Sequence, residues 1–149
     1  MSPTEKGDLV YLLNILQYIG KIWKYAENIN DANDFLMHED QIAFNAALTM
    51  FSNIGENVKK IKESTKVEYS YINWKMYKDF RNHVVHEYTG VDHEIVYNVI
   101  TNDLSILKQN IEQIIIDRLN KGTFEMEVIN ISRNSLHYNF VDFKNFIGS

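Results

Sequence analysis

Hydrophobic positions in this chain return at intervals of three and four as far as about residue 118, the spacing of helices that bury one face. From Asp8 onward Leu9, Leu12, Leu13, Leu16, Ile19, Ile22 and Ala26 form such a stripe, which predicts a first helix ending near residues 28–30. A second helix is predicted from about Glu39 to about Lys62, with Ile42, Ala46, Met50, Ile54, Val58 and Ile61 on one stripe and Phe44, Leu48 and Phe51 on another. Two apolar faces make it the central helix. Gly55 lies inside it, where glycine costs up to about 1 kcal/mol against alanine, so a close approach by a neighbouring backbone is expected there. Asn73 is an N-cap candidate for a third, shorter helix that carries Met76, Tyr77, Phe80, Val84 and Val85 into the core. The stretch Tyr88-Thr89-Gly90-Val91-Asp92 ends it, with Asp92 as the next N-cap. The fourth helix uses Val96, Val99, Ile100, Leu104, Leu107, Ile111, Ile114 and Ile115 and fades near Arg118. Short connections between four such helices predict an all-α, antiparallel four-helix up-and-down bundle.

Beyond Lys121-Gly122 the period changes to two. Phe124, Met126 and Val128 alternate with Glu125 and Glu127, and Leu136, Tyr138 and Phe140 alternate with His137 and Asn139, around Ser132-Arg133-Asn134-Ser135. This alternation predicts a β-hairpin. A lone two-stranded hairpin is marginal in water, so it should lie on the bundle, pair with a second copy or extend a partner's sheet. The expected organisation is a bundle over residues 1–121 and a C-terminal extension over residues 122–149.

Composition narrows the class. At 149 residues the chain is most simply one domain, large enough to bury roughly 70% of its unfolded surface. It contains no cysteine, which excludes disulfides and fits a reducing cytoplasm. The N-terminus has no basic stretch leading into an apolar run, and no segment approaches the roughly 18 uncharged apolar residues of a membrane span. A soluble, cytoplasmic protein with no membrane partner is expected. The net charge of −5 argues against indiscriminate binding to polyanions. Its distribution is uneven: between Lys59 and Arg81 seven basic residues stand against three acids, so that stretch is +4 and the remainder −9. A local basic face results, although Lys59, Lys60 and Lys62 would also suit the negative end of a helix.

Within the third helix stands Arg81-Asn82-His83-Val84-Val85-His86-Glu87-Tyr88. An arginine fork matches two phosphate oxygens, and a histidine near its ordinary pKa of about 6.5 can take and return a proton at neutral pH. The pattern of arginine, asparagine, three residues, histidine, one residue and tyrosine resembles the motif of the HEPN superfamily, specifically its HepT-like toxins. There the defining spacing is arginine, four to six residues, histidine, and Arg81 and His86 stand at its short end. The similarity extends to Ile54-Gly55-Glu56-Asn57-Val58-Lys59-Lys60 and to Tyr88-Thr89-Gly90-Val91-Asp92 followed by Ile95-Val96, covering roughly residues 8–118. The resemblance implies an antiparallel four-helix bundle that forms a homodimer, metal-independent RNA cleavage without a cofactor, and a small nucleotidyltransferase antitoxin as partner. It further implies silencing by attachment of AMP to the tyrosine two residues after the histidine, here Tyr88. No role follows from it for residues 122–149, where Arg133-Asn134-Ser135-Leu136-His137-Tyr138 places only three residues between arginine and histidine.

On a straight helix Asn82 and His86 share a face, whereas Arg81 and His86 diverge by roughly 140°. Either the helix unwinds near His86, as the Gly90 break permits, or two copies meet across a two-fold axis so that Arg81 and His86 of both line one cleft. The expected chemistry is in-line attack by a ribose 2′-OH to give a 2′,3′-cyclic phosphate. His86 would be general base or acid, Arg81 would stabilise charge on the phosphorane, and Asn82 would orient the imidazole or the phosphate. The expected substrate is structured RNA such as tRNA. The alternative is a non-catalytic module that serves as the substrate-binding or docking partner of a nucleotidyltransferase. Plainer readings make Arg81 an ion-pair partner of Glu87 or of an acid on a neighbouring helix, and His86 a hydrogen-bonded core residue. A zinc site from His83, His86 and His93 is a further option, though Glu87 and Asp92 stand at no obvious ligand spacing for it.

Overall fold

The computed structural model describes residues 3–147. Helix α1 (Pro3–Tyr25) buries the whole predicted stripe from Leu9 to Ile22. A short helix the periodicity did not reveal, α2 (Ala32–Met37), follows under an Asp31 cap, and its single buried residue, Phe35, packs on Phe44 and Tyr97. Helix α3 (Ile42–Lys60) buries Ala43, Phe44, Ala47, Phe51, Ile54 and Val58, while Ile42 is exposed. The inward stripe is thus rotated by one residue over the first turns, because the small side chains of Ala43 and Ala47 take the inner positions.

The third helix is divided. After α4 (Glu63–Glu68), the segment α5 (Trp74–Lys78) begins at the Asn73 cap, whose side chain accepts from the Met76 amide at 3.1 Å. The chain bends at Asp79 and resumes as α6 (Phe80–Val84). Two-residue strands β1 (Val85–His86) and β2 (Gly90–Val91) then pair antiparallel, His86 opposite Gly90. Asp92 caps α7 (His93–Asn98) through the amides of Glu94 and Ile95, at 2.9 and 3.2 Å. A π-helical segment, Val99–Asp103, joins α7 to α8 (Leu104–Asn120), and all eight residues of the predicted fourth stripe are buried. The wider π turn leaves a carbonyl outside the ladder, and the Trp23 indole donates to the Ile100 oxygen at 3.1 Å.

Cross-helix partners fix the directions. Asn14 meets Asn57 while Asp8 meets Lys62, Asp8 meets Arg118 while Trp23 meets Ile100, and Phe51 stacks on Phe80 while Gly55 abuts Tyr77. Each pair of helices is antiparallel, so the four arms form the expected up-and-down all-α bundle. One end is pinned by Asp8, fully buried, which accepts from the Lys62 amide at 3.1 Å, from Thr65 Oγ1 at 2.5 Å and from Arg118 Nη1 at 3.3 Å. Arg118 also reaches Glu68 at 3.0 Å and lies over the rings of Tyr69 and Phe124, so its buried charge is fully partnered.

The C-terminal β-hairpin expected from the alternation is absent. Its first strand is the helix α9 (Met126–Arg133), its second is a 3₁₀ turn (Leu136–Tyr138), and α10 (Lys144–Ile147) closes the chain. Helical spacing lets Ile129 and Ser132 turn inward together, while Phe124, Val141, Phe143 and Phe146 join the core of the bundle. Gln17 of α1 holds the segment from both sides, donating to Asn139 Oδ1 and accepting from the Phe140 amide, each at 2.8 Å. A Cβ on Gly20 would stand 2.5 Å from that of Phe140, so the tail lies directly on this glycine. Among the described residues no helix is long and apolar enough to cross a membrane.

Candidate active site

Ser52, Gly55, Glu56 and Lys59 follow one another at helical spacing along α3 and face the α5–α6 bend. Gly55 permits the approach: a Cβ there would lie 3.0 Å from the Tyr77 oxygen and 3.1 Å from that of Lys78, which is the close backbone contact its position predicted. Beneath, the rings of Phe51 and Phe80 stack at 4.0 Å and within 8° of parallel. Above them opens a cleft of about 240 Å³ whose polar wall includes Ser52, Glu56 and Lys59 on α3, and Lys78, Asp79, Arg81 and Asn82 opposite.

Arg81 and Asn82 are exposed, and no described residue supplies either side chain with a hydrogen bond or ion pair. Among the described residues neither Glu87 nor an acid on a neighbouring helix pairs with Arg81. The acid nearest in sequence, Asp79, is taken by Lys75 at 3.0 Å. That bond, reinforced by the charges of Lys75, Lys78 and Lys59, holds the Asp79 carboxyl below the usual carboxylate range.

The helix unwinds before it reaches His86. Val85 is extended, with φ −72° and ψ 128°, and the Asp92 amide donates to the Val84 oxygen at 2.7 Å, closing the base of the hairpin. Gly90 has φ +81°, a value that favours glycine and lets the chain reverse. His86 consequently stands exposed on β1, outside the set of residues that line the cleft, and not in the core. Tyr88 is 86% exposed at the turn. One chain thus brings Arg81 and Asn82 together and carries His86 and Tyr88 on the hairpin that follows. His93 contacts Asn33 Oδ1 at 2.9 Å, His83 lies at the rim against Phe80, and among the described residues no three His, Asp or Glu side chains form a metal-binding group.

Lys59 and Lys78 belong to the local basic face of residues 59–81, whereas Ser52 and Glu56 carry no site role in the sequence-based expectations. Their signal was available as a polar stripe, Ser52, Glu56 and Lys59, running between the two apolar faces of α3.

Comparison with known proteins bears on the same segment. Residues 15–114 match the family described as Ribonuclease HepT-like, a span that contains every cleft residue and the whole Arg81–Tyr88 segment. The chain belongs to the HepT-like family. HepT-like relatives include "Putative RNase MJ1216" of Methanocaldococcus jannaschii, 29% identical over 107 residues, which covers 72% of this chain and 86% of that protein. "Putative RNase TTE0752" of Caldanaerobacter subterraneus subsp. tengcongensis is 27% identical over 105 residues, 70% of this chain and 91% of that protein. The chain spans about half, 48%, of "Gamma-glutamylcyclotransferase and putative RNase MJ0434" of Methanocaldococcus jannaschii, with 27% identity over 110 residues. No solved structure matches this HepT-like chain.

Proposed function

We propose that this HepT-like protein is a metal-independent endoribonuclease acting at a composite site in a homodimer cleft, and that it is the toxin of a toxin–antitoxin pair. The observation that carries the reading is the exposed Arg81–Asn82 pair at the cleft, without a side-chain partner among the described residues, followed by His86 on an exposed hairpin. A guanidinium left free of protein carboxylates is available to a phosphate.

In the proposed reaction the ribose 2′-oxygen forms a bond to the adjacent phosphorus and loses its proton to one His86 imidazole. The bond from phosphorus to the 5′-oxygen breaks, and that oxygen leaves as a hydroxyl after receiving a proton from His86 of the partner subunit. The products are a 2′,3′-cyclic phosphate and a 5′-hydroxyl end. Arg81 stabilises the charge that builds on the equatorial oxygens, and Asn82 orients the phosphate or the imidazole. Two-fold symmetry supplies both histidines from one sequence position. The partner that restrains this activity is a nucleotidyltransferase, which attaches AMP to Tyr88.

Purified protein is expected to cut RNA in excess EDTA and leave cyclic phosphate ends. Arg81→Ala and His86→Ala are each expected to lower the rate at least a hundredfold with an unchanged circular dichroism spectrum. Loss of cutting on chelation, or full activity in either variant, would overturn the mechanism. A wild-type protein that binds RNA and leaves it intact would favour the docking module instead.

A further inference from the structure

Lys78 lines the Arg81 cleft and also a second groove, of about 490 Å³, that runs between α4 and α5. The wall of this groove carries Lys66, Lys75 and Lys78 against one carboxylate, Glu63, with Ser70 and Asn73 adding a hydroxyl and an amide. Lys66 and Lys78 have no ion-pair partner among the described residues, and Lys75 shares its charge with Asp79. The two hollows together present five cations and three carboxylates on a chain whose net charge is −5. The two hollows are therefore net positive on an acidic chain, which favours a polyanion there.

The groove is also held in shape. Thr65 binds α4 to the buried Asp8, the Trp74 indole donates to the Tyr69 oxygen at 3.1 Å, and the approach at Gly55 fixes the end of α5. Its lysines project from anchored backbone, so binding a strand orders few additional residues.

We propose that this second groove is a binding track for the RNA backbone, in which Lys66 and Lys78 contact phosphates of nucleotides flanking the cut and Ser70 and Asn73 hydrogen-bond to phosphate or 2′-hydroxyl oxygens. The proposal rests on the ribonuclease reading for its choice of RNA. Contacts of this class position a strand without reading its sequence, and each neutralised phosphate on a single strand adds about 0.7 to the slope of log affinity against log salt.

The test is equilibrium binding of a fluorescent single-stranded RNA carrying 2′-O-methyl groups throughout, which cannot be cut. The Lys66→Gln, Lys78→Gln double variant is expected to bind at least tenfold more weakly than wild type, with the salt slope reduced by about 1.4 for two lost contacts. A Lys66→Arg, Lys78→Arg protein is expected to retain wild-type affinity, which separates charge from folding. Equal affinity and slope in the glutamine variant overturn the track while leaving the nuclease reading intact. If that variant instead loses only its grip on an acidic protein partner, the groove is a protein interface and the proposal is wrong. Failure of the wild type to bind the oligonucleotide also overturns it, whereas binding without cleavage of unmodified RNA overturns the nuclease reading alone.

Discussion

Glu112 is a carboxylate covered by the C-terminal segment, with Asn145 Nδ2 2.8 Å from its Oε2. Burial raises its pKa above the ordinary carboxylate range, against the lowering effects of the Asn145 bond and the Lys108 charge. A folded pKa above the unfolded value means that ionised Glu112 subtracts from stability at neutral pH and that the loss disappears as pH falls below the unfolded value of about 4.3. Glu112→Gln keeps an oxygen for Asn145, so it is expected to raise Tm at about pH 7 and to lose that advantage near pH 4. Thermal melts across this range check it, and a pH-independent gain would show that ionisation is not the cause. Glu68 and Asp117 have the opposite sign, held low first by the hydrogen bonds from Arg118 and Tyr69 respectively. Their contribution is present above ordinary carboxylate values and lost as pH falls through the lowered folded ones. At this scale the caps Asn73 and Asp92 and the close contact at Gly55 were readable in advance, because each depends on neighbours in sequence or on one missing side chain. Partners such as Asp8 and Arg118 were not, since 110 positions separate them.

The elements that departed from expectation are those in which local pattern competes with packing. Val84 and Val85 continue the apolar stripe of a helix, yet only Val84 is buried, and β-branched Val85 enters the strand, 50% exposed. In the tail, alternation over five residues is too short to distinguish a strand from a helix that turns Ile129 and Ser132 inward. The resulting β1–β2 hairpin has a functional consequence under the proposed regulation, because its tip offers the Tyr88 phenol to an incoming enzyme. AMP on that oxygen would add an anion to the hairpin that carries His86, where it repels incoming RNA. Tyr88→Phe is expected to remain an active nuclease and to escape silencing by the partner with ATP and magnesium. Mass spectrometry of the co-expressed pair decides this, and an AMP-sized adduct on the phenylalanine variant would assign the modification elsewhere.

For the molecule as a whole, the bundle was legible because its four long stripes report burial directly, whereas assembly of the catalytic group is a property that no stripe encodes. Arg81 and His86 occupy different elements, so the proposed dimer gains a specific test. Mixing wild-type with excess His86→Ala chains is expected to silence the wild-type subunits, because each heterodimer keeps only one of the two histidines that the proposed reaction uses. Activity assays on mixed and separately purified chains check this; activity that falls only in proportion to the wild-type chains present would show that one subunit's histidine suffices. A different dependence is built into α1, where Gly20 lies against Phe140 and the Gln17 side chain bonds Asn139 and Phe140, residues beyond the HepT-like match at 15–114. A bundle ending near residue 121 would leave the Gln17 amide facing a trough with nothing to fill it. The two positions and the tail therefore constrain one another: a homologue that lost the tail would be released from the need for a bare α-carbon at Gly20, and a larger residue appearing there would signal that the tail had gone.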